Sequence, residues 1–266
     1  MNISEGSNRA VIENIVQVSR WVGDVHSDPD HGRSVITLLA TEPMVLLDEA
    51  KKVARRTIDL VDFTICSGVH PRMGVVDVVP FVSVDPAKAL VAEDLRDHFA
   101  QWIASSCSIP AFLYGGNRSL PEVRRDAFDG LDPDFGPKIA NPTSGACAVG
   151  ARPTMVAFNV NLDTNSKEKV KDLPGHLRKT HTRVLSFSVG GLQQISANLL
   201  EPDMYGPDAF VDDLKILIAE RDLKIVSCEL VGLIPYGVLS KIPKRRWSEL
   251  DVTESQTIEY RLKSLI

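Results

Sequence analysis

The stretch Val184-Leu185-Ser186-Phe187-Ser188-Val189-Gly190-Gly191-Leu192-Gln193-Gln194-Ile195-Ser196-Ala197-Asn198-Leu199 decides the fold class of this chain. Residues 184–189 and 193–199 read as two strands, and Gly190-Gly191 between them suits a tight hairpin turn. Outward from this hairpin, residues 207–221 read as a helix that turns Phe210, Leu214, Leu217 and Ile218 inward, and residues 224–230 read as a strand. On the other side, residues 155–162 form a strand. Residues 166–178 form a weak, polar helix, expected to break near Pro174-Gly175. The order is β-α-β-β-α-β, that of a ferredoxin-like split βαβ unit.

The first half alternates in a similar way. Residues 9–21 read as a helix with Val11, Ile12, Ile15 and Val18 on one face, and residues 22–25 and 34–39 as strands around a polar loop. Residues 43–61 are the clearest helix, with Leu46, Leu47, Ala50, Val53, Ala54, Thr57, Ile58 and Val61 at helical spacing. Residues 75–79 form an apolar strand closed by Pro80. Residues 86–105 form a helix with Pro86 at its start, and residues 111–114 a strand broken by Gly115-Gly116-Asn117. No short sequence repeat links the halves. Between them, residues 120–152 are rich in Pro and Gly yet keep Phe135, Ile139, Ala146 and Ala148, which suits an ordered loop lining a cleft between two subdomains.

Composition narrows the function classes. Of 266 residues, 44% are hydrophobic and 24% charged, enough to bury a core without staples. The net charge of −5 supplies no basic field for a nucleic-acid backbone, and the run from Lys241 to Arg246 reads as a solvated face. The four cysteines, Cys66, Cys107, Cys147 and Cys228, form no CxxC pair, which speaks against a zinc knuckle or a disulfide framework and suits a reducing cytoplasm. No signal peptide and no apolar span of the ~20 residues that cross a bilayer is seen, so no membrane partner is expected.

The chemistry concentrates in Val69-His70-Pro71-Arg72-Met73-Gly74-Val75-Val76-Asp77. Pro71 drives His70 toward extended backbone and projects the imidazole from the turn. Imidazole suits proton transfer near neutrality, and Arg72 offers a planar fork for carboxylates. The competing reading is a surface loop whose histidine caps a helix and whose arginine is solvated. A second cluster, His26-Ser27-Asp28-Pro29-Asp30-His31-Gly32-Arg33-Ser34, reads as a turn or substrate loop, or as a metal-ligand set of His26, Asp28, Asp30 and His31. His98 reads as helix surface or core edge, and no role is assigned to His176 or His181.

His70-Pro71-Arg72-Met73-Gly74, then Asp77 and Pro80-Phe81, resembles the HPRMG-x-x-D-x-x-PF signature of the formiminotransferase domain of glutamate formiminotransferases. Further segments resemble that family's landmarks in its order: Asn2-Ile3-Ser4-Glu5-Gly6, Leu113-Tyr114-Gly115, Phe135-Gly136-Pro137, Gly150-Ala151-Arg152, Ala157-Phe158-Asn159-Val160-Asn161-Leu162, Ile195-Ser196-Ala197-Asn198-Leu199 and Leu230-Val231-Gly232-Leu233-Ile234-Pro235. The resemblance spans nearly the whole chain. It implies an α/β (α+β) protein of two ferredoxin-like subdomains, residues 1–153 and 154–266, enclosing a folate-binding cleft.

It further implies transfer of a formimino group between N-formimino-L-glutamate and tetrahydrofolate, the folate being a co-substrate, with no metal. A second possibility is a folate or anionic small-molecule binder without transfer. The family's catalytic histidine maps onto His70. Its second acid/base falls at His26, with Asp28 and Asp30 close by, and Asp28 is the carboxylate candidate. Substrate and folate contacts are expected from Arg72 and Arg33 and from Gly136-Pro137-Lys138-Ile139-Ala140-Asn141-Pro142-Thr143-Ser144-Gly145. The family also implies a cytoplasmic homodimer.

The chain departs from the family's pattern at four points. The apolar strand that usually precedes the opening motif is absent, so either the start is late or the first sheet lacks an edge strand. Gly32 stands where the family usually has Asn. Residues 163–182 are short, as in compact bacterial relatives. The cyclodeaminase domain of animal members is missing, which implies release of the product to a separate enzyme.

Overall fold

In a computed structural model that describes residues 1–266, two units separate, Met1–Pro153 and Thr154–Ile266. Unit 1 runs β1 (Asn2–Ile3), α1 (Arg9–Val16), β2 (Val22–Asp28), β3 (Arg33–Leu38), α2 (Pro43–Leu60), β4 (Val76–Phe81), α3 (Ala89–Cys107), β5 (Ala111–Tyr114), α4 (Leu120–Asp126) and β6 (Cys147–Ala151). Its sheet has the order β2-β3-β1-β4-β6-β5. The first four strands form an antiparallel split βαβ arrangement, and β6 and β5 extend it as parallel strands.

Unit 2 runs β7 (Val156–Leu162), α5 (Leu173–Leu177), β8 (Thr182–Val189), β9 (Leu192–Leu199), α6 (Pro207–Ile218), β10 (Ile225–Val231), α7 (Tyr236–Leu239), α8 (Trp247–Leu250) and α9 (Ile258–Leu265). Its sheet order, β10-β7-β9-β8, is the same split arrangement. The two units therefore share a topology that no sequence repeat advertises.

The 184–199 hairpin is present in the expected register, with Val184 opposite Ala197 and Val189 opposite Leu192. Gly190 and Gly191 both have positive φ, 56° and 78°, as a type I′ turn requires. Period two along β7 sends Val156, Phe158, Val160 and Leu162 into a core with Phe210, Leu214 and Ile218 of α6. Each such side chain contributes about 1.5–3 kcal/mol on full burial.

Four features differ from the sequence reading. Helix α1 stops at Val16 rather than near Trp21, because the Ser19 hydroxyl accepts the Trp21 N–H at 3.1 Å and turns the chain. Pro174 lies inside α5, in its first turn, where its missing N–H costs nothing, so the helix is not broken there. Residues 120–152 are not one loop: they contain α4 and the fully buried strand β6, inserted between β4 and β5. Finally, the first strand is interior, since β1 pairs with β3 and β4, and the sheet edges are β2 and β5. No helix is long and apolar enough to cross a membrane.

Candidate active site

His70 sits just before β4, at the end of a loop pinned by long-range backbone bonds. The Val69 N–H donates to the Asp30 carbonyl at 2.9 Å, and the Phe63 N–H to the Thr143 carbonyl at 2.7 Å. Gly32 makes the first of these docks possible. Its φ is +62°, and a Cβ there would lie 1.7 Å from the Ser67 carbonyl oxygen. The departure from Asn is thus more than a lost amide, because the loop before His70 packs directly on the bare backbone of Gly32.

The imidazole is held at both nitrogens. Its Nδ1 lies 2.7 Å from the Pro71 carbonyl oxygen, and its Nε2 lies 2.6 Å from Nη1 of Arg33. A carbonyl can only accept and a guanidinium can only donate, so Nδ1 carries the proton and Nε2 offers its lone pair. His70 is therefore a neutral imidazole of one tautomer. Burial, then the nearby Arg33 and Arg124 cations, pushes its pKa down to about 3, against the pull of the Pro71 carbonyl. The His31 ring lies alongside, centroids 5.9 Å apart.

Arg72, offered by the sequence as a carboxylate fork, is tied to backbone. Its Nη2 donates to the His31 and His70 carbonyls, both at 3.2 Å, and its Nε donates to the His70 carbonyl at 3.4 Å. It staples the two loops together, and its Nη1 is buried with no hydrogen-bond partner. Arg33 comes from the first position of β3, directly opposite Asp28. Burial lowers its pKa to about 10, with the Arg124 cation adding to the shift and Asp77 and Asp28 opposing it. Three guanidinium groups thus share one region of unit 1 with two carboxylates.

A family model for the formiminotransferase domain, N-terminal subdomain, matches residues 1–152. The chain belongs to the formiminotransferase family. It is similar to formimidoyltransferase-cyclodeaminase of Sus scrofa, 32% identical over 270 residues, covering 90% of this chain and 50% of that protein. It is also similar to glutamate formimidoyltransferases of Streptococcus pyogenes serotype M1 and Thermoplasma acidophilum, each 28% identical, over 90% and 91% of this chain and 88% and 89% of those proteins. The chain spans about half the length of the animal relatives and most of the length of the microbial ones.

In this formiminotransferase-family chain, the 136–145 segment adjoins the histidine motif. Gly145 and Gly74 form a bridge, the Val75 N–H donates to the Ser144 carbonyl at 3.0 Å, and the Ala146 N–H donates to the Met73 carbonyl at 2.9 Å. Gly145 has φ +70°, and a Cβ there would lie 2.3 Å from the Met73 carbonyl oxygen. A bulky residue at Gly145 would therefore displace the His70 turn as well as the segment itself. The Asn141 side-chain oxygen accepts the Thr143 and Ser144 N–H groups, both at 3.1 Å, and orders the turn that ends the segment. Gly136, Pro137, Lys138, Ile139 and Ala140 are exposed or partly so, with Lys138 paired to Asp132.

The remaining sequence candidates take different places. Period two along β2 puts His26 and Asp28 on one face of that edge strand, two residues apart. Asp28 accepts the His31 N–H at 2.8 Å and so closes the turn between β2 and β3, and its second oxygen lies 3.9 Å from His31 Nε2. His31 itself is buried, at 3% exposure. No group of three or more His, Cys, Asp and Glu side chains is arranged to hold a metal ion. His98 is exposed on α3, where its Nδ1 lies 2.8 Å from the Asp94 carbonyl of its own helix. The basic run is a solvated face as expected, with Lys241, Lys244 and Arg245 exposed, and at its end the partly buried Arg246 pairs with Asp212 and Glu249.

Sequence reasoning missed Arg124. It reaches from α4 to Asp77 of β4 at 2.5 Å, and Asp77 also accepts the Met73 N–H at 2.8 Å. Arg124, Asp77 and the motif backbone form a chain that fixes the turn carrying His70. Burial raises the Asp77 pKa, although Arg124, the Met73 N–H, Arg33 and Arg72 all favour its ionised form. A local signal for the helix exists: Ser119 and Glu122 form a reciprocal capping box that starts α4, with Pro121 in its first turn.

The neutral His70 carries a pH dependence. The unfolded chain protonates this imidazole near pH 6.5, whereas the folded one resists until about pH 3. Between those values the unfolded state binds more protons, so stability falls as pH is lowered through that window. Chemical denaturation at pH 7 and pH 4.5 should show a larger loss of stability for wild type than for His70→Gln. Equal losses would contradict a neutral, part-buried imidazole.

Proposed function

We propose that this chain is a folate-dependent glutamate formimidoyltransferase, passing a formimino group between N-formimino-L-glutamate and tetrahydrofolate with His70 as proton shuttle. The observation that carries this reading is the fixed Nδ1–H tautomer, which aims the Nε2 lone pair at a region rich in guanidinium groups. The names of the microbial relatives, glutamate formimidoyltransferase, agree with it. A ring amine of the reduced folate attacks the amidine carbon and forms a C–N bond. His70 Nε2 takes the proton that the attacking nitrogen sheds. The same imidazolium then returns a proton to the glutamate nitrogen as the old C–N bond breaks. Imidazole suits both halves of this exchange. Arginine donors suit the two carboxylates of the glutamate, and the 136–145 segment is the expected folate contact beside them.

One observation favours a second reading, that of an anion or folate binder without transfer. The very nitrogen that must accept the proton is capped by Arg33. A turnover assay separates the readings. Transfer from N-formimino-L-glutamate that requires tetrahydrofolate, and exceeds transfer from N-formyl-L-glutamate, supports the transferase. Folate binding without turnover of either donor supports the binder.

A further inference from the structure

Arg33 stands out among the charged side chains of unit 1 for its partner, the ring of the candidate proton shuttle. Its guanidinium is part-buried yet forms no ion pair with a carboxylate, although Asp28 lies across the strand pair and Asp77 lies nearby. Its side-chain partner is a neutral ring nitrogen, His70 Nε2. The ring offers the guanidinium one neutral acceptor, whereas a carboxylate offers opposite charge and a bidentate fit, so a carboxylate competes well for Arg33. Two further guanidinium atoms of the same cluster, Arg72 Nη1 and Arg124 Nε, are buried and have no hydrogen-bond partner. The cluster is thus short of acceptors, and a dicarboxylate supplies them.

We propose that Arg33 is a substrate-released cap on His70: a carboxylate of the donor substrate draws Arg33 off Nε2, so the imidazole becomes a usable base only when a dicarboxylate is bound. This rests on the transferase reading for its purpose, although the release itself needs only an anion. It explains how one residue both blocks and serves the site. While capped, Nε2 cannot take a proton, and the Arg33 and Arg124 cations oppose its protonation. Once the anion lies between Arg33 and the ring, the lone pair is exposed and the nearest positive charge is neutralised. The charged and titratable groups that act on the imidazole are Arg33 from β3, Arg124 from α4 and His31 from the turn after β2; Asp77 of β4 and Asp28 at the end of β2 act on Arg33, and Arg72 acts on Asp77. Arg33 reaches Nε2 itself, which makes it a positioning residue for His70.

The test is a pH titration of the His70 ring by nuclear magnetic resonance on labelled full-length protein, with the His70→Gln spectrum for assignment. The probe is glutarate, a five-carbon dicarboxylate with no transferable group, and its neutral diamide is the control. In unliganded wild type, His70 should remain the neutral Nδ1–H tautomer throughout the neutral range. Glutarate should raise its titration midpoint by at least about one pH unit, the size expected when a neighbouring like charge is neutralised, and the diamide should not. Arg33→Met should show a raised midpoint without glutarate and little further change with it.

A midpoint that glutarate leaves unmoved, whether or not it binds, would overturn the proposal, as would an Arg33→Met ring that titrates like wild type. Should Arg33→Met fail to fold, the paired wild-type titrations decide alone. The two claims fail separately. An active transferase whose His70 ignores glutarate refutes the cap and keeps the transfer reading. A glutarate-responsive His70 in a protein without turnover does the reverse.

Discussion

Replacing His70 with alanine should lower the rate of formimino transfer by about 10²- to 10⁴-fold, or roughly 3–5 kcal/mol of barrier, while leaving folding and folate binding close to wild type. The loop around His70 is held by bonds that do not involve its ring: Val69 to Asp30, Phe63 to Thr143, and Arg72 to the backbone carbonyls of residues 31 and 70. Pro71 still sets the extended backbone at position 70. The variant therefore removes the proposed base without removing the turn. Rate, folate affinity and melting temperature measured on one preparation check this. A rate that falls only in proportion to the unfolded fraction would make the histidine structural.

Arg124→Ala should be the most destabilising single change in the site, by about 3–5 kcal/mol, because it strands a buried carboxylate. Asp77 is 1% exposed, and Arg124 is its ion-pair partner at 2.5 Å. The double variant Asp77→Asn with Arg124→Ala should recover part of that loss. The Asp77→Asn change leaves no charge to bury, and the amide oxygen it introduces could still accept the Met73 N–H. Urea denaturation of the two single variants and the double completes the cycle. Arg124→Ala costing under about 1 kcal/mol, or a double variant no more stable than the single, would show that the pair is not what fixes the turn.

How far the sequence can be read follows from where its signals reside. In unit 2, alternation and the Gly190-Gly191 turn are local, and the split topology is visible from them. In unit 1, β1 is two residues long, too short to show any period, so the same topology is hidden. Strand β6 is Cys147-Ala148-Val149-Gly150-Ala151, mostly small residues of modest strand propensity, and among its prolines and glycines it has the look of a loop. At the site, the Pro71 effect on His70 is local and legible. The partners are not. Arg33 meets His70 across 37 residues and Arg124 meets Asp77 across 47, and no spacing rule pairs them. Arg72 shows the same limit: its fork is legible, but that it binds two backbone carbonyls depends on where the β2–β3 turn packs. The Ser119–Glu122 capping box could have revealed α4, though not the destination of Arg124.

The most direct measurement follows the amidine carbon itself. N-formimino-L-glutamate labelled with ¹³C at that carbon is mixed with tetrahydrofolate and the purified protein, and the label is tracked by nuclear magnetic resonance. Formimino transfer through His70 requires that the glutamate-bound signal decay as a folate-bound signal grows in equal amount, that neither change without tetrahydrofolate, and that His70→Ala slow both by at least about 10²-fold. Label that stays on glutamate, or that leaves it at the same rate with or without the folate, would contradict it.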